Sequence, residues 1–224
     1  MYRYTYLFVE TVTLLTCIFC YRKFWVPRFK LFLPYMVFIV WYEFTSITRS
    51  FFMHKWFYIN HSNLWIVNFE VTLEFLFYSF FVISSYRDKK DRRMYTFISL
   101  LFTLFTFIDI FFIQGFLKLC SIAIVLQYAL LILMVCRFFY KTMQQFDKDT
   151  TLIKQPDFWV NTGLLFFCLA EFLFFASFNL AYVRHIFFST IFHLVSGLAN
   201  IILYSCIAIS FICYRRTRTI SSSS

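Results

Sequence analysis

A chain of 224 residues that is 61% hydrophobic, only 14% charged and rich in Phe, with 36 of them, has too little polar surface for a soluble globular domain. Runs of about 20 apolar residues recur along it, each able to cross a hydrocarbon core roughly 30 Å thick, whereas a β-barrel would need short alternating strands. The net charge of +10 resides in short segments between these runs, which argues against a nucleic-acid partner. The sequence predicts an all-α polytopic membrane protein. Its single domain is a bundle of seven transmembrane helices over residues 1–214, followed by a basic, serine-rich tail at 215–224.

The first span is expected near residues 4–21, where Glu10, Thr13 and Cys17 fall on one face. The basic CYRKFWVPRFK that follows lacks a small-residue cleavage site, which marks a retained span and not a signal peptide. The second span, near 31–51, has Pro34 in its first turn, where the missing N–H does no harm. It carries Glu43, and Arg49 towards its far end as an ion-pair partner or a snorkelling residue. The third, near 64–86, holds Glu70 and Glu74 one turn apart on a shared face.

After a basic loop containing DRRMY, the fourth span near 95–113 steps Thr103, Thr106 and Asp109 along one side. The fifth lies near 119–140. Pro156 and Asp157 announce the sixth, near 158–181, with Asp157 as its candidate cap and Glu171 within it. The seventh, near 186–213, bears a polar stripe of Ser189, His193, Ser196, Asn200 and Tyr204. No span has a mid-membrane proline, which argues against the broken helices of many secondary transporters. The seven cysteines fall within or beside apolar runs and are expected as reduced, packed thiols.

Orientation follows from Lys and Arg. Of the 21, sixteen lie in the first, third and fifth loops and the tail, and five on the other side. By the positive-inside rule the N-terminus is outside and the C-terminus cytoplasmic. On that arrangement Glu10, Glu43, Glu70, Glu74, Asp109 and Glu171 all fall in the outer half of the bilayer or near its midplane. Charged groups facing lipid cost about 2.5–3.5 kcal/mol each on insertion scales, so these faces are expected to turn inward around a polar, outward-opening cavity. His193, Asn200 and Arg49 complete the candidate set.

Six carboxylates with so few basic neighbours must take up protons, be hydrated or be balanced by a bound cation. Ligand or ion binding, catalysis, and simple hydrogen-bonding between helices all remain open readings. No nucleophile–base pair or metal motif appears, so no catalytic residue or cofactor is assigned, and whether a metal binds is left undecided. A lysine is absent from residues 186–213, which excludes a retinal Schiff base, and no Asn-Pro-x-x-Tyr pattern supports a G-protein-coupled receptor. Glu74-Phe-Leu-Phe77 recurs as Glu171-Phe-Leu-Phe174, a candidate internal echo.

The stretches NLWIVNFEVTLEFLFYSFFV in span three and QPDFWVNTGLLFFCLAEFLFF at residues 155–175 carry a family resemblance. They resemble small, uncharacterised bacterial seven-helix membrane proteins, a group similar to those encoded beside two-component histidine kinases. The resemblance implies a bacterial inner-membrane location and a signalling partner such as a histidine kinase. No activity is established for that group, so no functional residues carry over. The sequence is therefore read as a sensor-like or interaction protein whose acidic cavity binds a cation, amine or proton. The alternative is a small proton- or cation-coupled transporter or channel subunit.

Overall fold

A computed structural model describes the backbone of residues 2–22, 24, 26–52, 64–115, 118–144, 152–184 and 186–221, and side chains over 5–22, 24, 26–45, 66–115, 118–144, 152–177 and 194–215. Every regular element among them is helical. They are α1 (Tyr2–Tyr21), the single-turn α2 (Pro27–Lys30), α3 (Phe32–Phe52), α4 (Leu64–Ser85), α5 (Lys89–Ile108), α6 (Ser121–Gln144), α7 (Pro156–Arg184) and α8 (Ile186–Ser221). A π-helical turn, Asp109–Ile113, extends α5, and a 3₁₀ turn, Leu152–Lys154, precedes α7. The helices α4 to α8 contain stretches long and apolar enough to cross a membrane.

Six of the helices close a ring in the order α1, α3, α4, α6, α7, α8. Backbones pack closely between α1 and α3, α4 and α6, α6 and α7, α7 and α8, and α8 and α1. The tightest seam is α7–α8, where Gly163 sits so close that a Cβ there would lie 2.7 Å from the Cys206 Cβ and 3.2 Å from the Leu203 backbone. The α3–α4 seam is instead bridged by long side chains, with Tyr35 stacked on Phe77 at 3.8 Å and 2°. Helix α5 lies outside the ring against α4 and α6. Only 22% of its apolar stretch is buried, against 50% for α4 and for α6, so its other faces are left for lipid.

Three expectations about boundaries change. Helix α5 starts at Lys89, not near 95, because the Asp88 side chain caps it by accepting from the Lys90 N–H (2.9 Å). The DRRMY stretch is thus helical, and Asp91 is buried against Arg137 (3.2 Å) of α6. Asp157 is not a cap: it lies inside the first turn of α7, after Pro156, and pairs with Arg28 at 2.6 Å. Helix α8 continues through the basic residues 215–218 as far as Ser221; residues 222–224 lie outside the described range.

One end of the bundle is sealed. Phe32 and Phe211 pack at 5.4 Å between centroids, Phe29 meets Phe81 at 5.5 Å, and Tyr214 meets Phe29 at 4.9 Å. The Tyr214 hydroxyl accepts from the Val26 N–H (2.9 Å). Beside these rings Arg28 donates to the Ser84 carbonyl (2.9 Å) as well as to Asp157, tying the α1–α3 connection to α4 and α7. The Tyr86 hydroxyl donates to the Met134 carbonyl (2.7 Å), closing α4 on α6.

Candidate functional site

Seven residues along α8 from Phe211, and seven along α4 from Phe81, the ring opens into a cavity of about 150 Å³. At 1.5 Å per residue that is about 10 Å from the aromatic seal. Each of the six ring helices contributes to it. The lining takes Glu10 from α1, Glu43 from α3, Glu70 and Glu74 from α4, and Glu171 from α7. Asn200 and Tyr204 come from α8, and Tyr128 from α6. Glu10, Glu74 and Glu171 are buried, while Glu43 and Glu70 remain partly exposed.

Hydroxyl groups meet most of these carboxylates. Tyr128 donates to Glu74 Oε2 (3.3 Å), Tyr6 donates to Glu43 Oε2 (3.4 Å), and Ser196 donates to Glu171 Oε1. Tyr42 hydrogen-bonds to Glu70. Glu10 differs: its Oε2 is buried and meets no donor among the described residues. Asn200 turns its amide to the Ser196 carbonyl (3.1 Å), holding that turn of α8 against the cavity. Behind Glu10, Thr13 donates to the Tyr204 carbonyl (3.0 Å) and fixes α1 on α8. Among the described residues, the lining contains no Lys or Arg, and no three His, Cys, Asp or Glu side chains converge as metal ligands.

The structure thus brings Glu10, Glu43, Glu70, Glu74, Glu171 and Asn200 together, and leaves Asp109 elsewhere. Asp109 stands at the end of α5, outside the ring. It accepts from the Gln114 amide (3.1 Å) and hydrogen-bonds to the Cys120 thiol and to the Ala123 N–H in the first turn of α6. This is a capping role, supplied from a neighbouring helix. Asn68 holds the same connection, accepting from the Cys120 N–H (3.1 Å) and donating to the Lys118 carbonyl (2.7 Å). Arg49 and His193 have helical backbones, but their side chains lie outside the described residues.

The tyrosines that hydrogen-bond to these carboxylates are not disclosed by spacing. Tyr6, Tyr42 and Tyr128 belong to a set of 15 tyrosines, and only an acid on a neighbouring helix sets them apart. The two Glu-Phe-Leu-Phe copies both deliver their glutamate to the cavity. Comparison with known protein families, with curated proteins and with solved structures finds no match.

Proposed function

We propose that this chain is a multi-pass membrane protein of seven spans, N-terminus outside, that binds a cationic ligand in the cavity and reports its presence to a separate protein. The observation that carries the reading is five glutamates from four helices around one cavity with no Lys or Arg among its described lining. Carboxylates grouped in a low-dielectric site repel one another unless they take up protons or a positive charge balances them. Cation binding would therefore draw α1, α3, α4 and α7 together.

Sensing is favoured over conduction by what lies along the same helices. Phe29, Phe32, Phe81 and Phe211 pack together between the cavity and the basic end, which favours a closed bundle over an open channel. Helix α8 carries Tyr204 at the cavity and Tyr214 at the seal. A shift of α8 on ligand binding would reach Val26, Arg28 and Asp157 through contacts already in place. In the proposed orientation these residues face the cytoplasm, where a kinase-type partner would read them.

The test is purified protein with and without the double substitution E70Q/E74Q, which keeps shape and removes charge. The unaltered protein should melt at higher temperature when organic or inorganic cations are added, and the variant should not respond. Without added cation, the variant should be as stable or more so, by roughly 1–2 kcal/mol, because the cost of grouping and desolvating the charges is gone. Vesicles reconstituted with the unaltered protein alone should show no cation or proton uptake. Measurable uptake would overturn sensing in favour of transport.

A further inference from the structure

The cation-binding reading leaves open what kind of cation the cavity accepts, and one oxygen bears directly on this. Glu10 is 2% exposed and lines the cavity, yet its Oε2 meets no hydrogen-bond donor among the described residues. Glu74 and Glu171 each have a hydroxyl donor in place. A buried carboxylate oxygen without a donor carries a desolvation cost that a ligand N–H would relieve.

A metal ion answers the geometry poorly. Calcium takes about six to eight oxygens and magnesium demands a near-octahedral set, so either needs several carboxylates drawn to one point. Here no three potential ligands converge among the described residues, and the glutamates are distributed around the ring. A ligand with donors at two separated points reaches carboxylates that a point charge cannot bring together.

The rest of the lining suits carbon. Tyr128 lies 5.9 Å from Phe167 and 6.0 Å from Phe175 between ring centroids, the second pair nearly parallel at 19°. These faces attract an ammonium group. Ile39, Val67 and Val71 supply aliphatic surface for a methylene chain. A cavity of about 150 Å³ accepts a molecule of about benzene's size, roughly six heavy atoms.

We propose that the ligand is a short aliphatic diammonium ion, with one ammonium donating to Glu10 Oε2 and the other seated at Glu74 and Glu171 beside the Tyr128 ring. This rests on the cation-binding reading and narrows it to one chemical class. Both ends of the ligand then donate charge-assisted hydrogen bonds, and its chain length is set by the span between them.

The experiment is calorimetric titration of the purified full chain in lipid nanodiscs with the diamine series from diaminoethane to diaminohexane. Butylammonium, tetramethylammonium, sodium and calcium serve as comparators. Diaminopropane or diaminobutane should bind best, about tenfold or more tighter than butylammonium, which lacks the second charge-assisted contact. E10Q should weaken the best diamine by about tenfold and leave butylammonium nearly unchanged. If E10Q does not fold, the chain-length optimum of the unaltered protein decides independently. Butylammonium binding as tightly as the diamines, an affinity that is flat with chain length, or binding of sodium or calcium alone would overturn the diammonium assignment and leave the cation cavity standing. No binding by any of these cations would overturn both.

Discussion

At the sealed end of the bundle Arg28 sits 2.6 Å from Asp157 and Arg137 sits 3.2 Å from Asp91. Fourteen residues along α7 from Asp157, about 20 Å, Glu171, like Glu74, has only a hydroxyl partner among the described residues, and Glu10 presents an oxygen with none. The Arg28–Asp157 pair is also partly exposed, each side chain about a fifth accessible, so neither partner bears the full desolvation cost. The difference separates two uses of charge within one ring. At the seal, acids pair with Arg and join helices; around the cavity, no Lys or Arg stands among the described lining.

The hardest test of that division is at Gly163, which lies midway between the two ends on α7. Replacing it with Leu would drive a side chain into the Leu203 backbone and should abolish folded, monodisperse protein. Gly163→Ala needs the α7–α8 seam to widen by a few tenths of an ångström or more, with a cost of about 1–3 kcal/mol in melting experiments. Both cation response and stability should fall together in the alanine variant. Loss of one without the other would mean that the ends are less tightly joined by α7 and α8 than their contacts imply.

A smaller effect tests how the two ends are coupled. Arg28→Ala leaves the Asp157 carboxylate without its cation and removes the tie to the Ser84 carbonyl. The expected loss is about 1–3 kcal/mol of stability, below the figure for a fully buried pair because the site is partly exposed. Because ligand binding is proposed to reach Arg28 and Asp157 through α8, cation affinity at the cavity should change in turn, by about fivefold or more. An affinity that stays the same would show that the two ends do not share a conformational equilibrium.

The smallest effect lies in acid. The Lys90 N–H, and then Lys141 across the α5–α6 interface, hold the exposed Asp88 carboxylate below its usual range. A carboxylate with a lowered folded pKa contributes stability above its unfolded value near 4, and this contribution is lost as pH falls through the folded value. Asp88→Asn should therefore flatten the dependence of melting temperature on pH below about 4 and leave it unchanged near neutrality. A variant whose stability falls equally at all pH values would contradict this origin of the cap's contribution.

Much of this arrangement is legible in the residues, because apolar runs are local signals. The glutamates in α1, α3, α4 and α7 share one cavity; helical spacing puts Glu10 on a face with Thr13 and Cys17 and joins Glu70 to Glu74, whereas Glu43 and Glu171 are grouped with them by depth alone. Asp109 obeys the same spacing with Thr103 and Thr106, yet that face meets α6: Gln127 donates to Thr106 (2.7 Å), and Asp109 caps the α6 N-terminus. Periodicity fixes which residues share a face but not whether that face looks into the ring or along its outside. The start of α5 was hidden for a different reason. A run of Lys and Arg reads as a loop until Asp88 is recognised as a cap, and basic residues are good helix formers.

The position of α8 in the ring bears on how such a protein is made. Helix α8 lies between α1 and α7, and it follows all the other ring helices in the chain. Membrane helices insert in order as synthesis proceeds and then associate within the bilayer. Until α8 arrives, α1 and α7 have no shared neighbour and Glu10 and Glu171 stand on the edge of an open crescent. The ribosome must therefore deliver the other five ring helices and then α8 before the acidic residues gain an enclosed environment.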